Sequence, residues 1–159
     1  MKDPAKTLLS LDEAVAIRKQ LSGTLAVTNG CFDLLHRGHA CYLYEAAKYA
    51  DELWVLLNSD ASVSALKGPE RPLVSEKDRA YLLGALESVA RVVIFDSPRC
   101  DKELAALAPD IYIKAGDYTL EKLDPSERSA LEQNNTKIVF MPFVDGFSTT
   151  NIVEKIRKQ

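Results

Sequence analysis

Leu25-Ala26-Val27-Thr28-Asn29-Gly30-Cys31-Phe32-Asp33-Leu34-Leu35-His36-Arg37-Gly38-His39 is the stretch that decides the fold. Its first four residues form a short apolar run that stops at Asn29-Gly30, which reads as a buried strand ending in a turn. A helix is predicted to begin near Gly38 and to run to about Tyr49. Strand, glycine-bearing loop and helix start therefore follow one another directly. Such a junction points backbone N–H groups and the positive end of a helix at whatever lies in front of it, which favours phosphate.

The same alternation continues outward from this unit. Ser10 and Glu13 have the spacing of a capping box and predict a helix to about Leu21, ended by Gly23. Leu53–Leu57, Val92–Phe95, Ile111–Ile113 and Ile138–Phe140 are further apolar runs of strand length. A polar loop with Gly68, Pro69 and Pro72 is expected after the second strand, and Ser75 with Asp78 opens the next helix. A short helix is expected over Asp101–Leu107, and Asp124-Pro125 has the form of an N-cap with proline at the first helical position. Lys155, Arg157 and Lys158 suit the end of a last helix. Strands alternating with helices, and apolar throughout, imply an α/β fold: a Rossmann-like, doubly wound parallel sheet of about five strands in a single domain. Ligands of such sheets bind at the carboxyl ends of the strands, here just after Thr28, Leu57, Ile113 and Met141.

Bulk properties narrow the function. The 159 residues are 47% apolar, enough for a globular core, and carry a net charge of −3 with both signs mixed along the chain. That balance gives no basis for a nucleic-acid partner. Cys31, Cys41 and Cys100 are odd in number and lack zinc-site spacing, so they read as free thiols of a reducing compartment. Neither a signal-like stretch nor a run of membrane-spanning length is present, and the expected location is the cytoplasm.

His36 and His39, the only histidines, stand three apart at the helix start and can share one face. Two imidazoles there can each donate a hydrogen bond to a triphosphate oxygen. Two surface histidines on a plain helix start, or a zinc site, are the competing readings. No third zinc ligand lies near in sequence.

The chain resembles the cytidylyltransferase-like superfamily of nucleotidyltransferases, and within it the adenylyltransferase domain of ADP-heptose synthases. The resemblance rests on Thr28–His39, Asn58–Ser62, Lys67-Gly68 with Arg71-Pro72, Lys114–Tyr118 and Ser148–Ile152, in that order, and covers residues 24–157. It implies a nucleotidyltransferase domain over 23–159 behind a helical extension over 1–22, in a stand-alone form without a fused sugar kinase. It also implies transfer of AMP from ATP to a sugar 1-phosphate such as D-glycero-D-manno-heptose 1-phosphate, with release of pyrophosphate. His36, His39 and Lys67 would be catalytic. Thr28, Asn29, Gly30, Cys31, Phe32, Gly38, His39, Lys114, Gly116, Asp117, Ser148, Thr149 and Thr150 would bind the nucleotide. Asp33, Asn58, Asp60, Lys67, Arg71 and Arg79 would serve the acceptor and the phosphates, with Asp33 also a candidate for orienting its loop. Mg²⁺ would be held through phosphates and not by protein side chains.

Two positions depart from the family. Ala115 stands where a glycine is usual, and Phe143-Val144-Asp145-Gly146 replaces the Arg-Thr-x-Gly of the glycerol- and choline-phosphate cytidylyltransferases. The missing arginine favours the heptose branch. The alternatives are a cytidylyltransferase acting on glycerol 3-phosphate and, in another class, a nucleotide-binding regulatory module without turnover. A homodimer is expected, with the helix over 10–21 as a candidate contact.

Overall fold

The computed structural model describes residues 2–142 and 149–158. After a 3-10 turn at Pro4–Lys6, the elements are β1 (Leu8–Leu9), α1 (Leu11–Gln20), β2 (Leu25–Gly30), α2 (Arg37–Ala47), β3 (Glu52–Asn58), α3 (Asp60–Lys67) and α4 (Glu76–Ala85). They continue with β4 (Arg91–Phe95), α5 (Asp101–Leu107), β5 (Ile111–Ala115), α6 (Pro125–Gln133), β6 (Lys137–Met141) and α7 (Thr149–Arg157). The strands form one parallel sheet in the order β1-β4-β3-β2-β5-β6. The chain grows outward from β2 in one direction, then crosses over to add β5 on its other side. The switch point therefore lies between β2 and β5, where a ligand crevice is expected.

Alternation along the central strands sends side chains to two cores. Leu25, Val27, Trp54, Leu56 and Tyr112 pack with Ala14 of α1, Leu104 and Leu107 of α5 and Ala130 and Leu131 of α6. Ala26, Leu53, Val55, Leu57 and Ile113 pack on the opposite face with Tyr42, Leu43 and Ala46 of α2 and Ala80 and Leu83 of α4. Both sheet faces are covered, which is why the strands read as unbroken apolar runs. The expected caps are in place: Ser10 and Glu13 close a capping box, Ser75 Oγ accepts from Asp78 N, and Asp124 accepts from Ser126 N ahead of Pro125.

The sheet has six strands, not five. Leu8 and Leu9 register with Val92 and Val93, and Val92 N donates to Thr7 O at 2.9 Å. A two-residue edge strand is too short to leave a period in the sequence. Residues 2–22 thus give the sheet an edge as well as a helix. Lys2 Nζ reaches Leu86 O and Val89 O at 2.6 and 2.5 Å, and a Cβ on Gly84 would stand 2.0 Å from Thr7 Oγ1. The N-terminal segment is held against α4 at a point where only glycine fits.

The expected loop with Gly68, Pro69 and Pro72 is present, but a helix, α3, comes between it and β3. Ser59 caps it by accepting from Ser62 N, and Val63 is its buried apolar anchor. The apolar side of α1 packs on the core, and its outward residues Asp12, Glu13, Lys19 and Gln20 are exposed.

Candidate active site

The end of β2 and the start of α2 shape the first wall of the site. A Cβ on Gly30 would meet the Phe32 ring at 2.9 Å, so glycine is what lets the loop fold back on itself. Phe32 adopts φ 45°, in the left-handed region, and its ring meets His39 edge-on with centroids 5.2 Å apart. Asp33 is buried and clips this loop to the next one: it accepts from Leu73 N at 2.7 Å, Val74 N at 3.1 Å and Arg71 Nη1 at 2.5 Å. Burial works to raise the Asp33 carboxyl, but Arg71 and the two backbone donors outweigh it and hold the group below the usual range.

The rings of His36 and His39 stack, 3.8 Å between centroids and 20° between planes. Burial lowers the pKa of His36. That of His39 falls to about 4, through burial first and then the neighbouring His36 and Lys67. Both imidazoles are therefore neutral near neutral pH, each with one N–H to donate. Nδ1 of His39 is buried, and the Leu34 backbone partly opposes the fall in its pKa by favouring the protonated ring.

These groups face one cleft of about 770 Å³. Asn29, Gly30, Cys31, Phe32, Asp33, His36, Gly38 and His39 line it from the first loop, Asn58 and Lys67 from β3 and α3, and Lys114, Thr149 and Thr150 from the far side. Lys67 is the last residue of α3, so the helix end, and not a loop, carries its ammonium to the cleft.

The family model for cytidylyltransferase-like proteins matches residues 27–155, which takes in both walls of this cleft. The chain belongs to the cytidylyltransferase-like family. It is 47% identical over 152 residues to the bifunctional protein HldE of Geotalea uraniireducens, covering 96% of this chain and 31% of that one. It is 46% identical over 151 residues to the bifunctional protein HldE of Helicobacter pylori strain 26695, covering 95% and 31%. The chain thus spans about a third of the length of the curated relatives it matches. The crystal structure of the lipopolysaccharide core biosynthesis protein from Thermoplasma volcanium superposes with a TM-score of 0.61 at 27% identity, over 77% of this chain and 98% of that one.

Within this cytidylyltransferase-like domain, several residues expected to touch ligand are committed to the protein itself. Arg79 is 1% exposed. Its Nε donates to Val74 O, Nη1 to Cys31 O and Asn58 O, and Nη2 to Asp60 Oδ1, all within 2.9 Å. It ties the ends of β2 and β3 to the loop before α4 and has no reach into the cleft. Asp60 is its ion-pair partner and Arg71 is that of Asp33, and none of Asp60, Arg71 and Arg79 lines the cleft. The Thr28 hydroxyl bonds Tyr42 OH at 2.7 Å beneath the cleft floor. Gly116, at φ 113°, turns the chain off β5, with its N–H on Met141 O; Asp117 beyond it is exposed and its carbonyl accepts from Lys122. Ser148 and Phe143 lie outside the described residues.

The cleft also contains Tyr118, the last residue of the Lys114–Tyr118 motif, and two groups that the sequence did not single out, Arg99 and Glu127. Glu127, on α6, is 3% exposed. Its Oε1 accepts from Cys100 N and Cys100 Sγ, each at 3.3 Å, and its Oε2 lies 3.5 Å from Lys114 Nζ. Burial, reinforced by the Glu127 charge, pushes the Cys100 thiol up and keeps it a donor. Glu127 shares its helix face with buried Ala130 and Leu131, and a carboxylate on an apolar stripe is the one clue that sequence offers. A side cavity of about 330 Å³ opens from the cleft beside Arg99, Lys114, Tyr118 and Glu127.

Among the described residues no group of three or more His, Cys, Asp or Glu side chains is arranged to hold a metal ion. None of their helices is long and apolar enough to cross a membrane.

Proposed function

We propose that this chain transfers AMP from ATP to a sugar 1-phosphate, D-glycero-D-manno-heptose 1-phosphate, forming an ADP-sugar and pyrophosphate. The observation that carries this reading is the stacked pair of neutral imidazoles at the start of α2, on a cleft that also receives Lys67. An oxygen of the acceptor phosphate attacks the α-phosphorus, and the bond to the bridging oxygen of pyrophosphate breaks. The acceptor is already anionic, so no strong base is required; the protein's work is alignment and charge stabilisation. The imidazole N–H donors and the N-terminus of α2 face the phosphates, and Lys67 adds a full positive charge. Thr149 and Thr150, at the first turn of α7, close the same cleft with hydroxyls.

Mg²⁺ fits this site as a companion of the triphosphate. Asp33, the carboxylate nearest the histidines in sequence, already accepts from Arg71, Leu73 and Val74, so in this reading phosphates and water supply the ligands. When bound it would neutralise charge on the departing pyrophosphate. The acceptor assignment rests on the motif resemblance to ADP-heptose synthases, on the HldE relatives and on the lipopolysaccharide core protein that shares the fold. The reading also includes a cytoplasmic homodimer that acts on small molecules and binds no nucleic acid, in keeping with the net charge of −3; light scattering after gel filtration tests the dimer.

Pyrophosphate release is the deciding assay, with ATP, CTP, GTP and UTP each paired with heptose 1-phosphate, glycerol 3-phosphate and choline phosphate. The highest kcat/KM is expected for ATP with heptose 1-phosphate. CTP with glycerol 3-phosphate as the best pair overturns the assignment, and no release from any pair leaves a binding module.

A further inference from the structure

The far wall of the cleft carries a chain of polar contacts that the chemistry above does not use. Lys114 Nζ donates to Asn29 Oδ1 and to Tyr112 OH, each at 3.0 Å, and Tyr112 OH donates to the same Asn29 Oδ1 at 2.7 Å. Behind the ammonium stands Glu127 Oε2 at 3.5 Å, and behind that carboxylate stand the N–H and thiol of Cys100. The Tyr118 ring covers the ammonium with its centroid 5.3 Å away. The Lys114 and Glu127 side chains are 14% and 3% exposed, so the pair is largely withdrawn from water, and a charge left alone there would be costly.

The direction of these bonds determines the orientation of Asn29. A side-chain amide has one acceptor end and one donor end. Two donors, Tyr112 OH and Lys114 Nζ, converge on Oδ1. The opposite orientation would bring the amide NH₂ against an ammonium, which has no acceptor to offer. Asn29 lines the cleft one residue before the glycine that opens the phosphate loop.

We propose that Glu127 is a positioning residue: by holding the Lys114 ammonium it locks the Asn29 amide with its oxygen inward and its NH₂ presented to the cleft, as a fixed donor to an oxygen of the bound substrate. Asn29 touches the ligand, and Glu127 and Lys114 act through it. This deepens the proposed transferase reading and rests on it for the identity of the ligand. A preset donor loses no orientational freedom on binding, whereas a freely flipping amide would present the wrong end part of the time.

The test compares Glu127→Gln, Lys114→Met and the double variant with the parent. Thermal unfolding, kcat/KM for ATP with heptose 1-phosphate and the side-chain ¹⁵N–¹H₂ signal of Asn29 are measured, the signal being identified by its loss in Asn29→Asp. Each single change is expected to lower kcat/KM by about 10–100-fold, the range for one hydrogen bond to a charged group. The double variant is expected to match Lys114→Met, because both act on one amide. The Asn29 signal is one sharp pair in the parent and shifts or broadens in Glu127→Gln. The proposal is overturned if the two losses multiply, if Glu127→Gln lowers only the Tm, or if the Asn29 signal is unchanged. Should the lone charge in Glu127→Gln prevent folding, the double variant leaves no lone charge and is read by the same signal. If the parent releases no pyrophosphate, the transferase reading falls, and the Asn29 signal alone decides the relay.

Discussion

The imidazoles of His36 and His39 lie face to face, 3.8 Å apart; burial lowers the proton affinity of both, and His36 lowers that of His39 further. They wait as a neutral pair that can donate hydrogen bonds without repelling one another. Replacing either with Ala should cut kcat by about 10²–10³, the usual loss for one transition-state donor. Circular dichroism should report an intact fold, and turnover equal to the parent's would remove the pair from the mechanism.

The same pair ties stability to pH. The pKa of His39 is about 4 in the folded chain and 6.5 without the fold, so between those values the unfolded chain binds more protons. Stability is full above pH 6.5 and declines as the pH falls from about 6.5 toward about 4, with His36 shifted in the same direction. His39→Gln should flatten that part of a urea-denaturation profile against pH. An unchanged slope would show that the buried imidazole is not the group responsible.

Lys67→Ala should lower kcat/KM while leaving the Tm within a few degrees, since the side chain ends α3 at the cleft and anchors nothing in the core. Equal kcat/KM for both substrates would place the lysine among the solvated surface cations.

Arg79→Met should act on the fold. The change strips partners from the carbonyls of Cys31, Asn58 and Val74, and should cost about 2–4 kcal/mol of stability. Urea denaturation measures it. If Arg79→Met instead keeps its stability and loses affinity for ATP, the buried guanidinium has been misassigned.

Gly84→Ala should unseat the N-terminal segment, because the added methyl would overlap Thr7 Oγ1 and press on Pro4 O at 3.0 Å. Overpacking of this kind costs about 1–3 kcal/mol. Faster hydrogen exchange at Val92 N, whose acceptor is Thr7 O, would report the loss of the edge strand.

The central sheet and the histidine loop were legible because their information is local. Residues 25–39 carry strand, turn and helix start in one uninterrupted stretch, and apolar runs mark the other long strands. The partners of Arg79 were not legible because they are carbonyls 21 and 48 residues away, and the letter Arg is the same whether exposed or buried. α3 was hidden because Ser59–Lys67 offers Val63 as its only buried apolar side chain, with serines around it. Glu127 escaped because its partners, Lys114 and Cys100, come from two other elements.

The strand order has a further consequence during synthesis. β2 pairs with β3 early, but its other edge pairs with Ile111–Ile113, more than 80 residues downstream. Until that segment leaves the ribosome, the middle of the future sheet is an open apolar edge, with Ala26, Val27 and Thr28 unpaired on one side. An exposed strand edge of this kind invites pairing with other chains. The crossover that opens a crevice beside β2 therefore also leaves the nascent chain with a strand edge that must wait for its partner. The histidine loop precedes its opposite wall by about 75 residues or more, because that wall is built from Lys114 and Tyr118 onward to Thr150.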